Sequence, residues 1–112
     1  MNEKKEKTSD RMNGISFKPY SIDYGYVFKG YAIMVHDGGE ETVVDMPLFK
    51  IEDEMNDPRL FRIHKSYLVN LCKIRELLIS DKRVSVRVNG LQLPVSRRRK
   101  AGLMKALGQV SI

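Results

Sequence analysis

Val84, Val86 and Val88, then Asn89-Gly90, then Leu91, Leu93 and Val95 form the most constraining stretch of this chain. Apolar residues at every second position set one face of an extended segment against a core. Asn-Gly favours the two-residue turn whose twist matches paired antiparallel strands, so a hairpin over 84–95 follows. The period of two recurs upstream, beginning with Ile15 and Phe17. Ile22, Tyr24, Tyr26 and Phe28 share one face, Lys29-Gly30 turns the chain, and Tyr31, Ile33 and Val35 share the next. Asp37-Gly38-Gly39 is a second turn signal, after which Thr42-Val43-Val44 returns as a strand. Phe61, Ile63, Tyr67, Val69 and Leu71 occupy odd positions of a further strand in which Lys65 is the polar exception. Ile74, Leu77 and Leu78 read as strand because Ser80-Asp81-Lys82 is a tight connection. The fold class expected is mainly β, with small packed antiparallel sheets.

Two segments read as helix. Pro47 suits a first helical position behind an Asp45 N-cap, and Leu48, Ile51 and Met55 share one face of a short helix near 47–56. Its acids Glu52, Asp53 and Glu54 are expected to face solvent and away from any nucleic acid, and Asn56-Asp57-Pro58 ends it. After Val95 the alternation stops at Ser96, read as the cap of a short C-terminal helix near 97–107. Leu103, Met104 and Leu107 would hold that helix to the body, with Arg97, Arg98, Arg99 and Lys100 in its first turn. Cations there oppose the helix dipole by a few tenths up to about 1 kcal/mol each. Solubility explains why these residues are charged but not why they sit at the unfavourable end. Phosphate binding explains both.

Charge is divided between the two halves. Residues 59–112 hold thirteen Lys or Arg against two acids, and the first 58 hold seven against twelve, so a −5 half is joined to a +11 half. A polyanion is the natural partner of the second half. The 112 residues suffice for one domain with a real core. No run approaches the roughly 18 to 20 apolar residues that a membrane crossing needs, and the N-terminus lacks a signal peptide's apolar segment. The chain is expected to be soluble and intracellular, and its single Cys72 cannot form an internal disulfide. Residues 1–13, almost devoid of apolar side chains, read as a disordered tail or linker fragment ahead of a domain at 14–112.

Catalysis and metal binding find little material. His36, His64 and Cys72 are the candidates, and His64 with Ser66 lacks a nearby carboxylate to orient the imidazole. Two histidines and a cysteine on separate strands have no ligand spacing, so Cys72 is read as a packed thiol. No catalytic residue, metal or cofactor is expected.

Phe61-Arg62-Ile63-His64-Lys65-Ser66-Tyr67-Leu68-Val69-Asn70-Leu71, the apolar pair Ile74 and Leu77, Asn89-Gly90, and Leu93-Pro94-Val95-Ser96-Arg97-Arg98 together resemble the LytTR family of bacterial DNA-binding domains. The resemblance runs from about Ile22 to Leu107. It implies a LytTR-like β fold and cytoplasmic transcription regulation, usually as the output module of a response regulator in a two-component system. The family's receiver domain would lie N-terminal, and only a short tail precedes Gly14. A stand-alone regulator and an isolated output domain both remain open.

The resemblance also implies how DNA would be read: loops at strand ends enter successive major grooves on one side of the duplex. Base contacts would fall to Tyr31 near the first loop, to Lys65 after the motif histidine, and to Arg97. A guanidinium can bond O6 and N7 of guanine together, whereas Lys65 is a flexible point charge that discriminates less. Arg62, Ser66, Ser96, Arg98, Arg99 and Lys100 are placed to meet phosphates, which fix register without carrying sequence information. The implied partner is double-stranded DNA, in paired direct repeats, with homodimerisation on DNA or through a missing domain.

His64 points opposite to Ile63, toward the DNA side or a polar edge, and its role stays open. Asn70 is read as satisfying backbone groups at a strand end, and Tyr67 as core with its hydroxyl at the rim. An RNA-binding β-barrel is the alternative. Its stacking platform would be Tyr20, Tyr24, Tyr26, Phe28 and Tyr31, but these lie in the acidic half and are better explained as core. A protein interaction module is the third reading, and it predicts binding insensitive to salt.

Overall fold

A computed structural model describes residues 17–109. The expected tail at residues 1–13 lies outside them. The order is β1 Ile22–Phe28, β2 Tyr31–His36, β3 Glu41–Val44, α1 Leu48–Met55, β4 Leu60–His64, β5 Tyr67–Asn70, β6 Glu76–Ser80, β7 Arg83–Val88, β8 Leu91–Val95 and α2 Lys100–Gln109. One sheet runs β3-β2-β1-β5-β4 and the other β6-β7-β8. Every pairing is antiparallel.

The larger sheet is covered on both faces. Ile22, Ala32, Met34, Val44, Leu60 and Leu68 pack on one face against Leu48 and Ile51 of α1. On the other, Ile63 and Val69 meet Val86, Val88 and Leu93 of the smaller sheet and Leu103 of α2. Ala32 and Met34 of β2 join the α1 core and Ile33 and Val35 between them are buried too, so this strand does not alternate as a half-exposed one would.

Local turn chemistry holds where glycine supplies it. Lys29-Gly30 and Asn89-Gly90 each have both central residues at positive φ, 50° and 84° in the first and 53° and 77° in the second. That is the twist a two-residue hairpin turn requires. The helix near 47–56 ends where expected, with Asn56 left-handed and its N–H bonded to the Glu52 carbonyl.

Several expectations are corrected. Pro47, not Asp45, is the N-cap, and helix begins at Leu48 because the Pro47 carbonyl accepts the first bonds, from Lys50 and Ile51. A register shift between Ile22 and Tyr24 turns Ile22 toward α1 while Tyr24 packs on the opposite core, so the two do not share a face. The stretch from Phe61 to Leu71 is not one strand: Lys65-Ser66 turn the chain between β4 and β5. Arg97–Arg99 form a 3-10 turn before α2, and the Ser96 side chain makes no capping bond. Leu103 and Leu107 hold α2, but Met104 is exposed and Ala106 takes its place. Cys72 is exposed on the short 3-10 turn Leu71–Lys73, because that turn rolls it away from the buried Leu71.

Candidate nucleic-acid interface

Backbone hydrogen bonds bring the loops to one end of the molecule. Tyr26 pairs with Tyr67, and beyond that pair the Val27 N–H donates to the Ser66 carbonyl at 3.2 Å. The β4–β5 turn therefore lies beside the Lys29-Gly30 turn. Ser96 N–H donates to the Ile63 carbonyl at 2.8 Å, which sets the start of the Arg97 segment against the end of β4. Tyr31, Lys65 and Arg97 are thus gathered along one edge, each exposed.

The local geometry suits presentation. His64 Nδ1 accepts from the Ser66 N–H at 3.1 Å, closing the turn that carries Lys65, and the His64 ring lies 5.7 Å from that of Tyr67. With Nδ1 as acceptor, the neutral imidazole carries its proton on Nε2. Tyr67 is half-buried against the core as expected, and Asn70 satisfies the Ile22 carbonyl and the Cys72 N–H. Lys65, Arg97, Arg98 and Lys100 have no ion-pair partner among the described residues, and Ser66 and Ser96 are half-buried beside them.

Arg62 and Arg99 have other contacts. Arg99 Nε donates to the Arg62 carbonyl at 2.7 Å, its guanidinium lies 4.5 Å from the centre of the Phe61 ring, and Nη2 is 3.5 Å from Glu52 Oε2. The same Glu52 oxygen accepts from the Arg62 N–H at 3.0 Å. So the α1 acids do not all face away from the basic segment: Glu52 is bound to it. Arg62 is half-buried, and its Nε is out of solvent with no partner among the described residues.

The sequence passed over three cations at this end. Lys29 sits at the first tip, 5.4 Å from the Phe28 ring centre and in a left-handed conformation uncommon for a lysine. Lys82 and Arg83 stand on the β6–β7 tip and line an open groove with His64, Ser96, Arg97 and Lys100. A charge count places Lys82 and Arg83 in the basic half and Lys29 in the acidic one, but does not show their place on a tip. The aromatic cluster is not uniformly core: Tyr24 and Tyr26 are half-buried, whereas Tyr20, Phe28 and Tyr31 are 58, 55 and 49% exposed. Phe28 and Tyr31 flank the turn at the β1–β2 tip, and Tyr20 lies on the 3-10 turn Pro19–Ser21 that precedes β1. Among the described residues no group of three His, Cys, Asp or Glu stands close enough to hold a metal, and no helix is long and apolar enough to cross a membrane.

Comparison with known proteins supplies context. Residues 14–108 match the family model described as the LytTr DNA-binding domain. The transcriptional regulatory protein BtsR of Escherichia coli K12 is 33% identical over 81 residues, covering 70% of this chain and 32% of that protein. BtsR of Shigella flexneri matches to the same extent. The chain spans about a third of the length of these regulators. Among solved structures, the LytTr DNA-binding domain of a protein described as a methyl-accepting/DNA response regulator from Bacillus cereus superposes with a TM-score of 0.73 at 18% identity. That superposition covers 84% of this chain and 87% of that one. The RNA-binding β-barrel reading finds no support among these matches.

Proposed function

Because the chain belongs to the LytTR family of DNA-binding domains, we propose that it regulates transcription in a bacterial cytoplasm by seating three strand-end loops in successive major grooves of a duplex. The observation that carries this is the convergence of three exposed, differently positioned side chains on one edge, tied together by the Val27–Ser66 and Ser96–Ile63 hydrogen bonds. Arg97 reads guanine through two parallel bonds, Lys65 contacts an acceptor on a base edge, and Tyr31 meets the third groove position. Ser66, Ser96, Arg98 and Lys100 bond phosphates and set the register. Arg99 is assigned mainly to holding the basic turn against β4 and α1, since its guanidinium is engaged there, and Arg62 takes part in that contact through its backbone N–H and carbonyl.

The domain fits the role of an output module, with paired direct repeats as its targets and two copies meeting on DNA. No step calls for a catalytic residue or cofactor. The test is selection of bound sequences from random duplexes, followed by titration with salt. One enriched motif is expected, with log affinity falling linearly as log salt rises, by about 0.9 for each phosphate neutralised. Preference for single-stranded RNA over duplex DNA would overturn the reading, as would binding insensitive to salt.

A further inference from the structure

The β6–β7 tip belongs to none of the three loops above. Lys82 and Arg83 on it are exposed and have no ion-pair partner among the described residues. Ser80 pairs with Arg83, and Val84 pairs with both Ile79 and Val95, so the tip sits at the end of the smaller sheet where Ser96 and Arg97 begin. Between the tip and that segment lies a groove of about 600 Å³ whose walls carry His64, Lys82, Arg83, Arg97 and Lys100 and no carboxylate. Asp81, the acid of the tip, turns the corner with φ of 56° and is not a wall residue. Four cations around one concavity, with no acid to neutralise them, concentrate a positive field inside it. Ser96 adds a neutral hydroxyl donor at the same wall.

We propose that this groove holds a backbone phosphate of the duplex, which makes the β6–β7 tip a fourth DNA contact beside the three loops. The inference rests on the DNA-binding reading above. Lys82 and Arg83 grip the phosphate from the hairpin side of the groove. Such a contact carries no base information. Its role is to fix the rotation of the duplex about the Arg97 contact, because a second anchored point on the other flank of Arg97 removes a degree of freedom that one loop leaves open.

The test is the salt dependence of duplex binding by the full chain, on a duplex that the wild type binds selectively. In K82A/R83A the magnitude of the log–log slope is expected to fall by about 0.9, the loss of one phosphate, with binding about eightfold weaker near 0.1 M salt. Preference among duplexes should be unchanged. Lys50→Ala, which removes an exposed cation on α1, should leave slope and affinity alone. Unchanged slope and affinity in K82A/R83A would overturn the groove assignment and leave the three-loop reading standing. Loss of preference without loss of slope would also overturn it, because the tip would then read bases. Failure of the wild type to select any duplex would sink both. Circular dichroism on the variants checks that the fold is intact.

Discussion

At one end of the molecule the charged groups satisfy each other, and at the other most of the cations are left for something outside the chain. Asp23, 4% exposed, accepts from Lys73 Nζ at 3.0 Å and from Asn89 Nδ2 at 2.7 Å, while Lys73 also lies 3.6 Å from Asp37. The hydrogen bond to Asp23 raises the Lys73 ammonium above its ordinary pKa. This clasp joins β1 of the large sheet to the β7–β8 turn of the small one. Across the molecule, Lys29, Lys65, Lys82, Arg83, Arg97 and Arg98 have no acidic partner among the described residues. The same residue types therefore do different work. A buried carboxylate without its cation is costly, so the clasp contributes stability. The solvated tips contribute little to it and retain their charge for an anion.

The comparison breaks most visibly at the clasp. Asp23→Ala is expected to lower stability by about 2 to 3 kcal/mol, because it strands Lys73 and Asn89. The urea midpoint measures this, and the salt slope of DNA binding should not move. A shifted slope with an unchanged midpoint would mean that the two ends are not separable.

Arg97→Ala should do the reverse. A loss of about 1 to 3 kcal/mol in discrimination at one base position is expected, measured by competition between matched and mismatched duplexes, with the midpoint held within about 0.5 kcal/mol. Equal weakening on every duplex would remove Arg97 from base reading. Arg99→Ala sharpens the boundary between the ends. Its bond to the Arg62 carbonyl and its place over Phe61 predict a loss of about 1 kcal/mol of stability, and a smaller change in salt slope than Arg98→Ala gives. The opposite ranking of slopes would return Arg99 to the phosphate set.

The smallest effect is on pH dependence. Burial lowers the pKa of His36, whose ring nitrogens face Ser21 Oγ at 3.1 Å and Thr42 Oγ1 at 2.7 Å. The folded state prefers the neutral ring, so its contribution is complete above the ordinary value of 6.5 and declines as pH falls below that toward the depressed folded value. Asp57, held low by its hydrogen bond from Arg59, loses its contribution only in more acid solution, below the ordinary 3.8. A modest fall in urea midpoint between pH 7 and 5 is therefore expected. A rise would contradict the burial assignment.

How far the fold was legible depends on how local its causes are. Lys29-Gly30 and Asn89-Gly90 announced their hairpins because the glycine and its neighbour supply the backbone twist themselves. Lys65-Ser66 contain no glycine or proline. Their turn is closed by the His64 ring and by Val27, thirty-nine positions before Ser66 in the chain. The bulge that turns Ile22 away from Tyr24 surrounds Asp23, whose partners lie 50 and 66 positions away. Among the site residues, the two motif phrases singled out Lys65 and Arg97. The charge pattern alone gave no sign that Arg99 turns back to the Arg62 carbonyl, 37 positions earlier, or that Lys82 and Arg83 reach the same edge.

Backbone amide shifts recorded while a selected duplex is added test most directly whether one end of the molecule binds and the other only holds. Perturbations should concentrate at residues 28–31, 64–67, 80–83 and 96–100, with residues 36–39, 70–73 and 88–90 unmoved. Perturbations centred on the Asp23 clasp, with the four tips silent, would contradict it.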